Sequence, residues 1–222
     1  MKELNTTVLL SYAGTLAEAL LETCEYPWQA LPQIGQYINK LIATIDLSEF
    51  NQMAKDVFIH KSVSLAANVS IAGPTIIDAG TEVRPGAYIR GNALIGKQCV
   101  IGNSCEIKNS ILIEKCQVPH FNYVGDSILG VGAHLGAGSI ASNLKSDKSN
   151  VTIRTASEKI ATGLRKFGAI LGDYADVGCN SVLTPGSVVG QHTRVYPLSF
   201  VRGYVPAHSI YKTQGEVTLI RE

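Results

Sequence analysis

The sequence predicts an all-β fold in which the chain winds as a triangular parallel coil, and three observations predict it. First, an aliphatic residue returns every six positions. It stands at Val57, Val63 and Val69, then after a two-residue slip at Ile77, Val83, Ile89, Ile95, Ile101, Ile107 and Ile113. The beat resumes at Leu129 and Leu135 and runs without error through Leu171, Val177, Leu183, Val189, Val195 and Val201. Second, a mostly small column lies four residues after these anchors: Ala67, Gly73, Thr81, Ala87, Ala93, Cys99, Cys105, Ala133, Ser139, Ala175, Ser181, Ser187, Thr193 and Ser199. Third, glycine follows the anchor at 96, 102, 130, 136, 172, 178 and 190, which suits a tight bend. A helix repeats at 3.6 residues and a flat strand at 2.0, so neither predicts a period of six with one large and one small inward position. A three-sided coil with one hexad per side does.

The elements follow in chain order. Within residues 1–55, Leu16, Leu20 and Leu21 suggest a short helix, and Ile34, Ile38, Leu41, Ile42 and Ile45 share one helical face, with Pro32 near its start where proline is tolerated. This helical segment is expected to pack on the first coil as a cap over an open sheet edge. Residues 56–210 hold roughly twenty hexads, hence about six to seven coils and a prism on the order of 30 Å long at about 4.8 Å per strand. The repeat breaks twice. Residues 119–128, PHFNYVGDSI, put a His, a Tyr and an Asp beside a proline that cannot donate to a sheet ladder. Residues 143–170 are basic and contain two β-like runs, VTIR and EKIATG, so they read as an extruded hairpin loop. Residues 211–222 form a C-terminal tail.

Composition excludes several functions. Of 222 residues, 45% are hydrophobic and 17% charged, with a formal net charge of +1, so the chain is neither a disordered tail nor a basic nucleic-acid binder. Its apolar runs fall short of the ~20 residues a membrane-spanning helix needs, and Glu18 and Glu22 stand where a signal peptide would be cleaved. A cytoplasmic protein without nucleic-acid or membrane partners is expected. Cys24, Cys99, Cys105, Cys116 and Cys179 are odd in number and lack C-x-x-C spacing, so reduced thiols are expected rather than disulfides or a metal site.

On its hexads the chain resembles the hexapeptide-repeat left-handed parallel β-helix proteins, and that resemblance supplies the handedness. A more specific block narrows it. Glu106 and Lys108, then His120, Tyr123, Gly125-Asp126, Gly136-Ala137-Gly138 and Asn143 occur in this order and spacing. Over about residues 77–205 the chain is thereby similar to the C-terminal acetyltransferase domain of the bifunctional N-acetylglucosamine-1-phosphate uridyltransferase/glucosamine-1-phosphate acetyltransferases. The loop ending RKFGAILGD resembles the archaeal sugar-1-phosphate nucleotidylyltransferase/acetyltransferases more closely. Departures from the family pattern are Pro119, Phe121-Asn122 and His134. No Gly-rich segment for a nucleoside triphosphate precedes the repeats.

The resemblance implies an acetyl-CoA-dependent N-acetyltransferase acting on an amino-sugar phosphate or nucleotide-linked amino sugar, assembled as a homotrimer with sites between subunits. It assigns His120 as general base, a role that suits imidazole because this side chain exchanges protons near neutrality. The other histidines, His60, His192 and His208, carry no motif and read as surface residues. Tyr123, Lys108, Arg84, Asn143 and Lys166 would bind the sugar or its phosphate, with Arg90 a competitor of Arg84 because one hexad more separates Arg84 from Lys108 than in the bacterial family. Gly136, Ala137 and Cys179 would meet acetyl-CoA as co-substrate, the backbone amides of Gly136-Ala137 polarising the developing oxyanion. Two other readings are set beside this one. One is a non-catalytic trimerising or sugar-nucleotide-binding module; the other is a γ-class carbonic anhydrase, whose usual pair of histidines five apart is absent. No metal site is expected.

Overall fold

The computed structural model describes residues 2–46, 48–213 and 216–219. The chain is a left-handed parallel β-helix with three long sheets, A, B and C, which succeed one another around each coil. Sheets A and B each contain eight coiled strands and sheet C seven, about one coil more than the hexad count predicts.

Strand register identifies the inward anchors. Sheet A stacks Ile59, Ile77, Ile95, Leu112, Leu129, Leu171, Val189 and Val205. Sheet B stacks Leu65, Val83 and Ile101, and later Leu135, Val177, Val195 and Tyr211, with Val118 between them paired to Ile101. Sheet C stacks Ile71, Ile89, Ile107, Val124, Ala141, Leu183 and Val201. The beat therefore runs unbroken from Ile59 to Ile107, and the expected two-residue slip at Val69 is absent. Val63 and Val69 belong to the second column, and Ala67 and Gly73 are exposed. In 119–128 the break is small: Val118 and Val124 keep the period, and it is lost only between Val124 and Leu129. Outside the extruded loop, the beat shortens by one residue from Ile107 to Leu112 and from Val124 to Leu129, which leaves Ile113 outside the prism, and by two from Val201 to Val205.

Each coil turns its corners with residues in the left-handed region, which a side chain enters at a cost of about 1–2 kcal/mol. At the corner between sheets B and C stand Ser104, Phe121, Gly138, Asn180 and Leu198, all at positive φ. Asn92, Asn109 and Asp126 do the same between C and A.

Sheet A is apolar on both faces. Outward from it point Ile76, Leu94, Ile111, Ile128, Ile170 and Val188, all buried, and the N-terminal segment covers them. Here the structure corrects the expected cap. The helix Ile34–Thr44 forms, and Ile34 and Ile38 are buried, but it lies against the side of the prism. The exposed edge of the first coil is instead paired by Phe50–Ala54, antiparallel to Val57–His60. Covering six large aliphatics contributes about 1.5–3 kcal/mol each, which makes this layer a second core.

The N-terminal segment runs against the direction of winding. Glu3 lies near Tyr204 and Tyr211, and Ser11 N donates to Asp173 Oδ2 (2.8 Å). Farther on, Trp28 stacks on Phe167 (6.1 Å between centroids), Leu31 accepts from Asn109 Nδ2 (3.2 Å), and Gly35 abuts the Asn92 side chain. Residues 143–170 leave the coil between sheets C and A. Their neck is closed by the Leu144–Lys166 bridge, and Thr152–Arg154 pairs antiparallel with Lys159–Ala161, as the two β-like runs predict. Ser209–Thr213 continues sheet B and Glu216–Leu219 folds back on it. No helix among the described residues is long and apolar enough to cross a membrane.

Candidate active site

The residues singled out in the sequence fall into two groups, at opposite edges of sheet C. The first lies at the B/C corner. His120 ends the strand Gln117–His120, and one coil on Gly138 N donates to His120 O (3.0 Å); one further, Asn180 N donates to Ala137 O (2.8 Å). His120, Ala137 and Cys179 thus occupy one column, about 4.8 Å apart per coil. His120 is exposed, and among the described residues no hydrogen bond engages its imidazole. Its main chain is fixed by Asn122, which is buried. Asn122 Oδ1 accepts from His120 N (3.0 Å), while Nδ2 donates to Gly136 O (2.8 Å) and Ser139 O (3.1 Å). The two bonds from Asn122 Nδ2 tie the His120 corner to the Gly136–Ser139 corner above it.

The expectation that Gly136 offers its amide to an oxyanion is not met. Gly136 N donates to Val177 O (2.6 Å) within the coil, and Gly138 N is taken by His120 O. Ala137 N is the amide of this triplet without a protein acceptor among the described residues. Cys179 is exposed.

The second group lies at the C/A edge around Asp126, whose side chain is 6% exposed. Lys108 Nζ donates to both its oxygens (3.1 and 3.0 Å), Asn109 Nδ2 to Oδ1 (2.8 Å) and Asn143 Nδ2 to Oδ2. Asn143 also donates to Tyr123 Oη (3.1 Å). The phenol passes over Gly125, where a Cβ would collide with it. Burial, followed by the carboxylates of Asp126 and Glu106, pushes Tyr123 above its ordinary pKa. It keeps its proton and remains a donor. Lys166 is exposed at the loop neck, beside Asn143, whose carbonyl accepts from Phe167 N (3.0 Å).

Arg84 is elsewhere. It follows a sheet B strand and is engaged by Glu82 through two bonds (3.1 and 3.0 Å), which hold that carboxyl below its usual range. Arg90, on sheet C, donates to Glu106 (2.7 Å) one coil before Tyr123. The sequence reading missed Asp126 as a hub and Asn122 as a clip. A polar residue in the second, normally small and inward column was the available signal for Asn122. Elsewhere, His134 Nδ1 lies 2.7 Å from Asp176 Oδ1 on sheet B.

Comparison with known proteins decides the family. The sequence profile described as the GMPPB C-terminal domain matches residues 71–213, well over half of the chain. The chain belongs to this family. Among relatives of this GMPPB C-terminal domain, the bifunctional sugar-1-phosphate nucleotidylyltransferase/acetyltransferase of Sulfurisphaera tokodaii is 32% identical over 102 residues, covering 46% of this chain and 25% of that protein. The bifunctional protein GlmU of Methanococcus aeolicus is 37% identical over 109 residues, 49% of this chain and 26% of that one. The match thus spans about a quarter of these relatives. Among solved structures, PerB from Caulobacter crescentus in complex with CoA and GDP-perosamine is similar at a TM-score of 0.38 and 18% identity, covering 73% of this chain and 56% of that one.

Proposed function

We propose that the chain is an acetyl-CoA-dependent N-acetyltransferase acting on an amino-sugar phosphate or a nucleotide-linked amino sugar. The observation that carries this reading is the column His120–Ala137–Cys179, in which an exposed imidazole without a protein partner stands one coil from an unengaged backbone amide. His120 takes the proton from the amine that attacks the thioester carbonyl, and Ala137 N donates to the oxygen on which charge develops. The departing CoA thiolate is protonated in turn. Lys108, Tyr123, Asn143 and Lys166, with Arg90 rather than Arg84, bind the sugar and its phosphate. The relatives named above, both bifunctional and one named as an acetyltransferase, support acyl transfer.

The same geometry supports assembly as a homotrimer. His120 and the Asp126 group sit at opposite edges of one sheet, an arrangement that suits a site completed by a neighbouring copy. On the same corner, Phe121 next to His120 and Leu198 three coils farther on are 63% and 80% exposed, apolar side chains suited to such contact. The buried cysteines are all free, which suits the reducing cytoplasm.

The test mixes purified protein with acetyl-CoA and a panel of amino-sugar phosphates and nucleotide-linked amino sugars while free thiol is followed. His120→Ala should lower kcat by about 10²–10⁴ with little change in acetyl-CoA binding. Equal rates for wild type and variant overturn the mechanism. Binding of a sugar nucleotide without turnover on any acceptor would favour a non-catalytic module.

A further inference from the structure

A cavity of about 400 Å³ lies between the extruded loop and the last coils of sheet C. It continues the stripe on which the Asp126 group sits. From Ile89 on, the position after each sheet C anchor carries Arg90, Lys108, Gly125, Ser142, Thr184 and Arg202 in turn, as the ladder Lys108–Gly125, Ser142 N to Leu183 O and Thr184 N to Val201 O shows. Thr184 and Arg202 therefore lie two and three coils beyond Gly125, about 10–15 Å along the face.

The loop's contribution is built in rather than draped. Gly186 and Gly203 are both at positive φ, and a Cβ on either would strike the loop strand: Val151 Cγ1 at 2.6 Å from Gly186, and the Arg154 carbonyl from Gly203. Two glycines thus let this strand lie directly on the corner and fix Arg154 beside Arg202. Val151 and Ile153 are fully buried there. Arg84, Arg90 and Lys108 are each matched by a carboxylate, but Arg154 and Arg202 have no acidic partner among the described residues. Lys145 shares the cavity and is matched by Asp147 (3.5 Å). Thr184 lines it too, and its hydroxyl is buried beneath the lining without a hydrogen-bond partner. Pro185 and the half-exposed ring of Phe200 supply a flat apolar wall.

Two guanidiniums without acidic partners among the described residues and an aromatic face describe a phosphate-rich ligand with a planar ring. We propose that this cavity binds a nucleoside diphosphate, the nucleotide half of a nucleotide-linked amino sugar. This rests on the acceptor reading above and selects within it. CoA also carries phosphates and a base, so the test has an arm for it.

Isothermal titration of the full chain with UDP, GDP, inorganic diphosphate and CoA, separately, needs no turnover. UDP or GDP should bind, and Arg154→Gln and Arg202→Gln should each weaken binding about tenfold or more, while Lys61→Gln on the first coil leaves it unchanged. Phe200→Ala should weaken the nucleoside diphosphate severalfold and leave inorganic diphosphate unaffected. Both arginines are exposed, so the variants should keep the wild-type Tm. No binding of UDP or GDP, or binding indifferent to both arginine changes, overturns the proposal. So does CoA alone binding with this sensitivity. If amino-sugar phosphates are acetylated while no nucleoside diphosphate binds, the acceptor site stands and the cavity assignment falls. If a nucleoside diphosphate binds with this sensitivity but no acetyl group is transferred, the cavity assignment stands and the acetyltransferase reading falls.

Discussion

Replacing Asp126 by Asn removes one charge and little volume from a pocket built entirely of donors. Four donor contacts reach the carboxylate, two from Lys108 and one each from Asn109 and Asn143, and no acceptor faces it. Either orientation of an amide at 126 turns its NH₂ toward two of these donors. The hydrogen bonds lost are charge-assisted, worth about 1.5–3 kcal/mol, and breaking a buried pair costs about 3–5 kcal/mol. Lys108 retains 23% side-chain exposure and regains some hydration, which puts the loss near the lower end, about 3 kcal/mol. For a chain of this size that lowers Tm by about 6–12 °C. Scanning calorimetry of Asp126→Asn, Lys108→Met and the double variant separates the pair from its surroundings, with a coupling energy of about 1 kcal/mol or more expected. A Tm shift below about 2 °C in Asp126→Asn would refute the hub.

Thiol titration should find one fast cysteine, Cys179, and four that react only on unfolding; burial pushes Cys24, Cys105 and Cys116 above the ordinary thiol pKa and so depletes their thiolates. Labelling of Cys99 or Cys105 at the rate of Cys179 would contradict their inward placement. Gly102→Ala should abolish soluble expression or lower the urea midpoint severely, because its Cβ would enter the Pro119 peptide of the next coil. Gly163→Ala, at positive φ but in open space, should cost only about 1–2 kcal/mol. Asp173→Ala strands Ser11 N, Val131 N and Gln191 Nε2; limited proteolysis near residues 10–17 should accelerate, with stability falling by about 2–4 kcal/mol. Unchanged cleavage would show that apolar packing alone holds this segment.

A period of six is visible in a sequence because each side of the prism admits one large residue per coil, and most of the fold was legible on that basis. The first coil was misread for a physical reason. Val57, Ile59, Val63, Leu65, Val69 and Ile71 form two interleaved aliphatic series, and size alone does not say which points inward. The covered side of sheet A was legible in hindsight: Ile76-Ile77, Leu94-Ile95, Ile111-Leu112, Ile128-Leu129, Ile170-Leu171 and Val188-Val189 are adjacent aliphatic pairs, as strands buried on both faces require. In the candidate site, His120, Ala137 and Cys179 could be aligned from their motif, and their common column follows from the coil length. The engagement of Gly136 N and the four contacts on Asp126 depend on how coils stack through the loop neck, which no local pattern encodes.

The countercurrent path of the N-terminal segment has a consequence for anything joined to this chain. Residue 3 sits beside Tyr204 and Tyr211, so the rod's entry and exit emerge at the same pole, with the first coil at the other. A group attached near residue 3 should crowd that pole and leave the opposite one, where Phe50–Ala54 pairs the sheet A edge, available for immobilisation. An attachment point on the Phe50–Ala54 side would hold the molecule upright with the His120 corner along its flank, whereas one near residue 3 would bring the tether near the Arg154–Arg202 cavity.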